Sequence, residues 1–484
     1  MLGAAYLLGI ILAAFGAVYL LPIGCSIAMG DGLWPSFLLS AGITLVAGIT
    51  LAGATYRFRR ELKPRDGFLL VTPAWILLAA SASLPLMLDL PGLTFTRAYF
   101  EAMSGLTTTG STVLSGLDRL APSLNFWRDS LVWVGGLATI VVAIGVSPLL
   151  GIGGMQLQMA DAPATVKDEK LAPRITEAAR SLWLVYTLLT VIGAGLLRLA
   201  GLSWFDAICH AFSAVGLGGV STHDGGIASF HSLAVEVVLM GLMLFSCLNY
   251  ARHFLALRRL SLAPYRNDAE LKAIVGVLAI SIVGIAILLE LDGVYPDFPT
   301  SLRYAAFNVI SMATTTGWVN SGPVRFASWP VFAPIWMLFL SGILCSTGSP
   351  GSGVKMFRTL VLARQTGREM KLLVHPNAMV PVRVGGRLVP ERVTDAVLAF
   401  IFLYFMTVSA LTFAMLLTGM DFESAFRLTV SSINNTAFGL PAGHARNLSS
   451  LSQVQVWIST VAMLLGRLEI FTVIVLFTRT FWRK

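Results

Sequence analysis

Hydrophobic positions in this chain come in long unbroken runs rather than in alternation. Leu2 to Gly30, Gly32 to Tyr56, Gly67 to Leu88, Ser130 to Ala160, Phe326 to Val354 and Ala396 to Met420 carry no charge. Each exceeds the roughly 20 residues needed to cross a hydrocarbon core. Further apolar stretches fit near residues 181–197, 228–250, 273–289 and 453–478, the last interrupted by Arg467 and Glu469. The pattern predicts ten membrane-crossing helices. The first run reads as a span rather than a secretory signal, because the first basic residue is Arg57.

Between the crossings lie four segments too short to span, beginning near Arg97, Trp204, Leu302 and Asp421. Each follows one crossing, precedes the next and ends in a polar stretch: Thr107–Thr112, Val215–Ser221, Thr314–Trp318 and Asn434–Gly439. Gly110, Gly218 and Gly317 recur at a spacing of roughly 100 residues, the mark of an internal repeat. Ala437 or, after a slip of two, Gly439 occupies the corresponding place in the fourth.

Composition agrees with a bilayer setting. Only 12% of the 484 residues are charged and 56% are apolar, against about 25% charged in an ordinary soluble chain. Mean hydropathy is +0.77. The basic run Arg57 to Arg65 joins the second and third crossings and is expected on the cytoplasmic side. Ten crossings then put both termini on that side, where most of the 34 Lys and Arg fall. This asymmetry accounts for the net charge of +9 without a nucleic-acid partner. Cys25, Cys209, Cys247 and Cys345 are far apart, without metal-ligand or redox spacing, and read as packing residues. No nucleophile–base pair or metal cluster lies in any span, so an enzyme is not expected.

The four short segments carry the chemistry. Non-helical backbone at membrane depth is tolerated only where protein or water satisfies it. Half-helices entering from outside aim their partially negative C-terminal ends at the bilayer centre, which attracts a cation. Threonine favours extended backbone, and the glycine after it permits positive φ, so successive carbonyls can face one axis. Such a ring replaces the hydration shell of an alkali ion. Four loops in one chain would build it without a tetramer.

The two Thr-Thr-Thr-Gly loops, Gly218–Asp224, Trp133–Leu137, Gly151–Leu157, Arg180–Thr190, His375–Arg383 and Gly466–Phe477 together resemble the TrkH branch of the Trk/Ktr/HKT potassium transporter superfamily. The resemblance implies an all-α membrane protein. Residues 1–60 would form an extra helix pair, and residues 61–170, 171–265, 266–390 and 391–484 four pore repeats, the third with a broken inner helix. Potassium would be held by Thr107, Thr108, Thr109 and Gly110; Val215, Gly216, Leu217 and Gly218; Thr314, Thr315, Thr316 and Gly317; and Asn435, Thr436 and Ala437, with no organic cofactor. The resemblance further implies a homodimer with one pore per protomer in a bacterial inner membrane, gated by a cytosolic TrkA-type ring with nucleotide-binding domains. The fourth loop departs from the family pattern of asparagine followed by Gly-Pro-Gly. An alanine forced to positive φ there would cost on the order of 1–2 kcal/mol and weaken selectivity for potassium.

Two features are candidates for a gate. Cys345 to Lys355, with Gly348, Gly351, Gly353 and Lys355, is dense in helix breakers and resembles the family's intramembrane loop; an ordinary turn is the alternative. It does not complete a phosphate-binding loop, since its lysine is displaced by one residue. Arg467, far inside an apolar run, needs a wet or polar destination, a gate or a structural ion pair. His210, His223 and His444, with Asp118 and Asp224, read as surface or vestibule residues. A less selective or sodium-permeable pore and a solute-coupled secondary transporter remain as alternative functions. The latter needs inverted repeats, whereas these repeats keep one orientation.

Overall fold

The computed structural model describes residues 2–59, 64–145, 171–437 and 448–483. The motif Gly151–Leu157, Phe438, Gly439 and His444 lie outside these residues. Among the described residues the chain is helical, with one two-stranded hairpin, β1 (Arg383–Val384) and β2 (Arg387–Leu388).

The N-terminal pair is α1 (Leu2–Phe15), continued after a short turn by α2 (Leu20–Met29), and α3 (Trp34–Thr55). These helices cross at glycines: a Cβ at Gly9 would stand 2.5 Å from the Ala52 nitrogen and 2.8 Å from the Gly48 oxygen. Small residues allow this approach where lipid supplies no hydrophobic drive between helices. Tyr19, fully buried, stacks on Trp127 with centroids 4.6 Å apart and donates its hydroxyl to the Ser81 carbonyl at 2.7 Å. Phe15 and Phe37 also pack on Trp127, and Ser36 donates to Asp89 at 2.6 Å, so several contacts fasten the pair to the body of the protein.

The body repeats one order four times: long helix, half-helix, polar loop, inner helix. The long helices are α4 (Pro64–Ala82) with α5 (Leu84–Asp89), α8 (Leu171–Leu199), α13 (Ala269–Leu291) and α17 (Glu391–Leu416). The half-helices are α6 (Phe95–Leu106), α9 (Trp204–Gly216), α14 (Phe298–Ala313) and α18 (Phe422–Ile433). Side chains cap three of them: Ser203, Asp297 and Asp421 accept from the Asp206, Thr300 and Ser424 amides.

The second and fourth inner helices bend where continuous spans were expected. The first, α7 (Pro122–Gly145), is followed by undescribed residues. The second bends by 97° between α10 (Leu233–Ser246) and α11 (Tyr250–Arg259). In the third, α15 (Phe332–Ile343) stops after 12 residues and the chain resumes as α16 (Met356–Val374), while the short α12 (Ala263–Arg266) precedes α13 in sequence. The fourth bends by 104° between α19 (Gln453–Arg467) and Phe471. Among the described residues six helices are long and apolar enough to cross a membrane, or eight if each bent pair is one span. The other two expected crossings are the run 130–160, only partly described, and 326–354, broken after Ile343.

Candidate functional site: four converging loops and the segment beneath them

All four half-helices end the same way. One residue in the left-handed region reverses the chain: Thr108 (φ 52°), Leu217 (φ 57°), Thr315 (φ 65°) and Asn435 (φ 49°). For a β-branched threonine this conformation is strained, and such strain persists only where the surroundings impose it. Each of these amides donates back into its own half-helix, to the carbonyls of Gly105, Ala214, Met312 and Ser432. The next amides of Thr109, Gly218 and Thr436 reach Ser104, Ser213 and Ser431.

This shared bonding sets the register. Thr107–Gly110, Gly216–Gly219, Thr314–Gly317 and Asn434–Ala437 are equivalent. The second loop is therefore one residue later than the sequence spacing predicted. Gly219 (φ 64°), not Gly218, matches Gly110 (φ 73°) and Gly317 (φ 85°), while Val215 belongs to the last turn of α9. Ala437 takes the fourth place but is not among the described residues with positive φ, so the strain expected of it is not present.

The loops close a ring. A Cβ at Gly110 would strike the Gly218 carbonyl; at Gly219, the Thr316 carbonyl; at Gly317, the Ala437 backbone. Asn435 donates to Thr109 Oγ1 at 2.9 Å, joining fourth loop to first, and to the Met463 carbonyl at 2.9 Å. The Ala437 methyl would stand 3.1 Å from a Cβ at Gly110 and 3.3 Å from one at Gly219. Thr107 and Thr109 share a hydroxyl bond of 2.8 Å, and Thr314 and Thr316 one of 2.9 Å. The Gly218 and Thr316 carbonyls lie at the contacts between loops.

Buried carboxylates hold the chain beyond the ring. Glu101 accepts from Thr112 Oγ1 at 2.6 Å and the Val113 amide at 2.5 Å, with Arg128 Nε 3.4 Å away. Glu236 takes both donors of Arg303 at 2.7 Å, and Asn320 at 2.7 Å. Neither pair was evident in the sequence, since 67 residues separate Glu236 from Arg303; the signal available was an acid set in an apolar run.

On the rim, His223 bridges Asp118 Oδ1 at 2.5 Å and Asp206 Oδ1 at 3.5 Å. Its hydrogen bond holds the Asp118 carboxyl below the usual carboxylate range. Asp224 is exposed. His210 is fully buried between the Asp206 carbonyl and Ser221 Oγ, so it is a brace of α9 rather than a surface residue.

Directly beneath the ring runs the segment Leu344–Lys355. Cys345 Sγ lies 3.9 Å from Thr315 Oγ1. Glu270 accepts from Ser346 Oγ at 2.5 Å and the Thr347 amide at 2.9 Å, and Asn249 donates to the Thr347 carbonyl at 2.6 Å. Gly348 (φ 86°) sits against Asn249, Gly351 against Cys345, and Gly353 (φ 84°) against the Gly342 carbonyl. Lys355 (φ 69°) ends the segment 3.8 Å from Glu469. Arg467, buried, donates to the Pro350 carbonyl at 2.6 Å and Ser352 Oγ at 3.0 Å. The expectation that Arg467 lies deep within one continuous helix does not hold. It is the last residue of α19, where a cation suits the helix's negative end. Glu469 (φ 55°) then turns away to bind Arg358 at 2.5 Å.

Four re-entrant half-helices ending at one ring, with an unwound segment below, define a membrane transport protein of the four-repeat pore class. The pattern of the TrkH family, described as a cation transport protein, matches residues 41–484, and the chain belongs to that family. It is 40% identical over 479 residues to the Trk system potassium uptake protein TrkH of Salmonella typhimurium, covering 99% of this chain and 98% of that one. It is 37% identical to the Trk system potassium uptake protein TrkG of Escherichia coli, covering 89% of each. The crystal structure of the potassium transporter TrkH from Vibrio parahaemolyticus superposes with a TM-score of 0.90 at 36% identity, covering 100% of this chain and 99% of that one.

Proposed function

We propose that this chain takes up potassium through the ring formed by Thr107–Gly110, Gly216–Gly219, Thr314–Gly317 and Asn434–Ala437. The closure of four loops around one axis is the observation that carries this reading, and the potassium transport named for its relatives supports the choice of ion. The ion sheds water, is held by backbone carbonyls at the negative ends of the half-helices, and passes to the space below. There Leu344–Lys355, pinned by Arg467, forms the barrier. Opening requires the segment to leave the axis, and with it the Arg467 contact. A cytosolic TrkA-type subunit supplies that movement, acting on a homodimer from the side where Arg258, Arg259, Arg364, Arg368 and Lys371 lie. Both termini are on that side, and the membrane is the bacterial inner membrane.

Ala437 favours a second reading in which sodium is rejected less strictly, because one quarter of the ring carries a methyl. Expression in a bacterial strain without its own potassium uptake tests the proposal. Growth on limiting potassium should be restored. Failure at normal membrane levels together with the strain's own regulatory subunit would refute it.

A further inference from the structure

At the N-terminal end of α13, where the lining residues Ala269 and Lys272 fall on either side of the buried Glu270 in sequence, three basic side chains line one open cleft of about 840 Å³. Lys272 comes from the first turns of α13, Arg364 from α16 and Arg383 from β1. All three are exposed. The hairpin turn closes the cleft on one side: Gly385 (φ 59°) lies so near α13 that an added Cβ would be 3.3 Å from the Ala269 Cβ. Asn267, Ala273, Leu360 and Val384 supply one amide and an aliphatic wall.

The acids nearby are committed elsewhere. Asp268 pairs with Arg252 at 2.8 Å, Glu270 is buried on Ser346, and Glu391 stands 3.6 Å from Arg368. Among the described residues no carboxylate lies within ion-pair distance of Lys272, Arg364 or Arg383. Three like charges around one open concavity raise the local positive potential and favour an anion among them. Arginine's fork matches a phosphate, and lysine adds a point charge. Lys272 lies in the first turn of a 23-residue apolar helix long enough to cross a bilayer, and a basic side chain at the end of such a helix suits lipid phosphates.

We infer that this cleft binds a phosphate oxyanion, carried by an anionic phospholipid headgroup or by a soluble phosphate. The inference is independent of the ion that the pore conducts. The test compares binding of labelled phosphatidylglycerol and of pyrophosphate to the purified full chain in phosphatidylcholine nanodiscs, for the wild type and the triple variant K272Q/R364Q/R383Q. Loss of all three charges should weaken binding on the order of a hundredfold, each basic residue contributing separately. Selective loss of phosphatidylglycerol binding identifies the lipid as the source, and selective loss of pyrophosphate binding a soluble phosphate. Equal binding by wild type and variant, or no binding of either probe, overturns the inference. If the triple variant does not fold, Arg364→Gln and Arg364→Lys replace it. Weakening by glutamine with recovery by lysine is expected, and identical binding by both overturns the site.

Discussion

Arg467 Nη1 donates to the Pro350 carbonyl oxygen at 2.6 Å, so a residue of the fourth repeat locks the unwound segment of the third. The same guanidinium is a fixed positive charge below the ring. If the ring is the ion's path, a cation passing at roughly 6 Å with an effective dielectric near 20 would be repelled by about 3 kcal/mol. Replacing it removes lock and charge together. Arg467→Ala should raise basal cation flux in liposomes and reduce dependence on the regulatory subunit. Flux no higher than wild type from a normally inserted variant would make Arg467 a structural anchor only.

Glu270 anchors the other end of that segment, through Ser346 and the Thr347 amide. Glu270→Ala leaves both donors without their acceptor, at a cost of about 1–3 kcal/mol for a buried group. A looser segment should show as higher basal flux together with a lower melting temperature. A lower melting temperature with unchanged flux would separate Glu270 from the gate.

The Glu101–Arg128 pair is buried on both sides, with side chains 3% and 4% exposed. Removing one partner strands a charge and costs about 3–5 kcal/mol. Glu101→Ala should therefore lower the melting temperature more than Glu101→Ala with Arg128→Leu does relative to Arg128→Leu alone. Thermal unfolding of the four proteins measures the coupling; strict additivity would contradict it.

Much of this arrangement was legible in the sequence, and the misses have physical causes. The Thr-Thr-Thr-Gly loops declare themselves because the motif recurs at corresponding places of an internal repeat, where a single copy would read as a helix-packing patch. Their strain falls on Thr108 and Thr315, one residue after the turn begins, which composition does not reveal. The second loop offers adjacent glycines, Gly218 and Gly219; only the reversal at Leu217 chooses between them. The break after Arg467 was invisible because Leu468, Glu469 and Ile470 include no glycine or proline. Positive φ at Glu469 and Ile470 is imposed from outside, with Glu469 drawn to Arg358 and Lys355.

Ala437 is the fourth member of the ring, and its methyl faces the positions of Gly110 and Gly219. Since it is free of positive-φ strain, the methyl itself rather than the backbone is the perturbation. Ala437→Gly should raise the ratio of potassium to sodium flux with little change in stability. An unchanged ratio would move the fourth filter position away from Ala437.

The central claim is that the ring is the ion's path. Radiolabelled rubidium flux into liposomes, with potassium or sodium as competitor, tests it most directly. The comparison is wild type against Gly110→Ser, Gly219→Ser and Gly317→Ser, with Gly195→Ser as control, since a side chain there meets nothing within 4 Å. With the regulatory subunit added, wild type and control should conduct rubidium and be inhibited by potassium well below the sodium concentration needed. Each ring variant should lose flux or lose that preference. Wild-type flux and preference in all three ring variants would contradict the account.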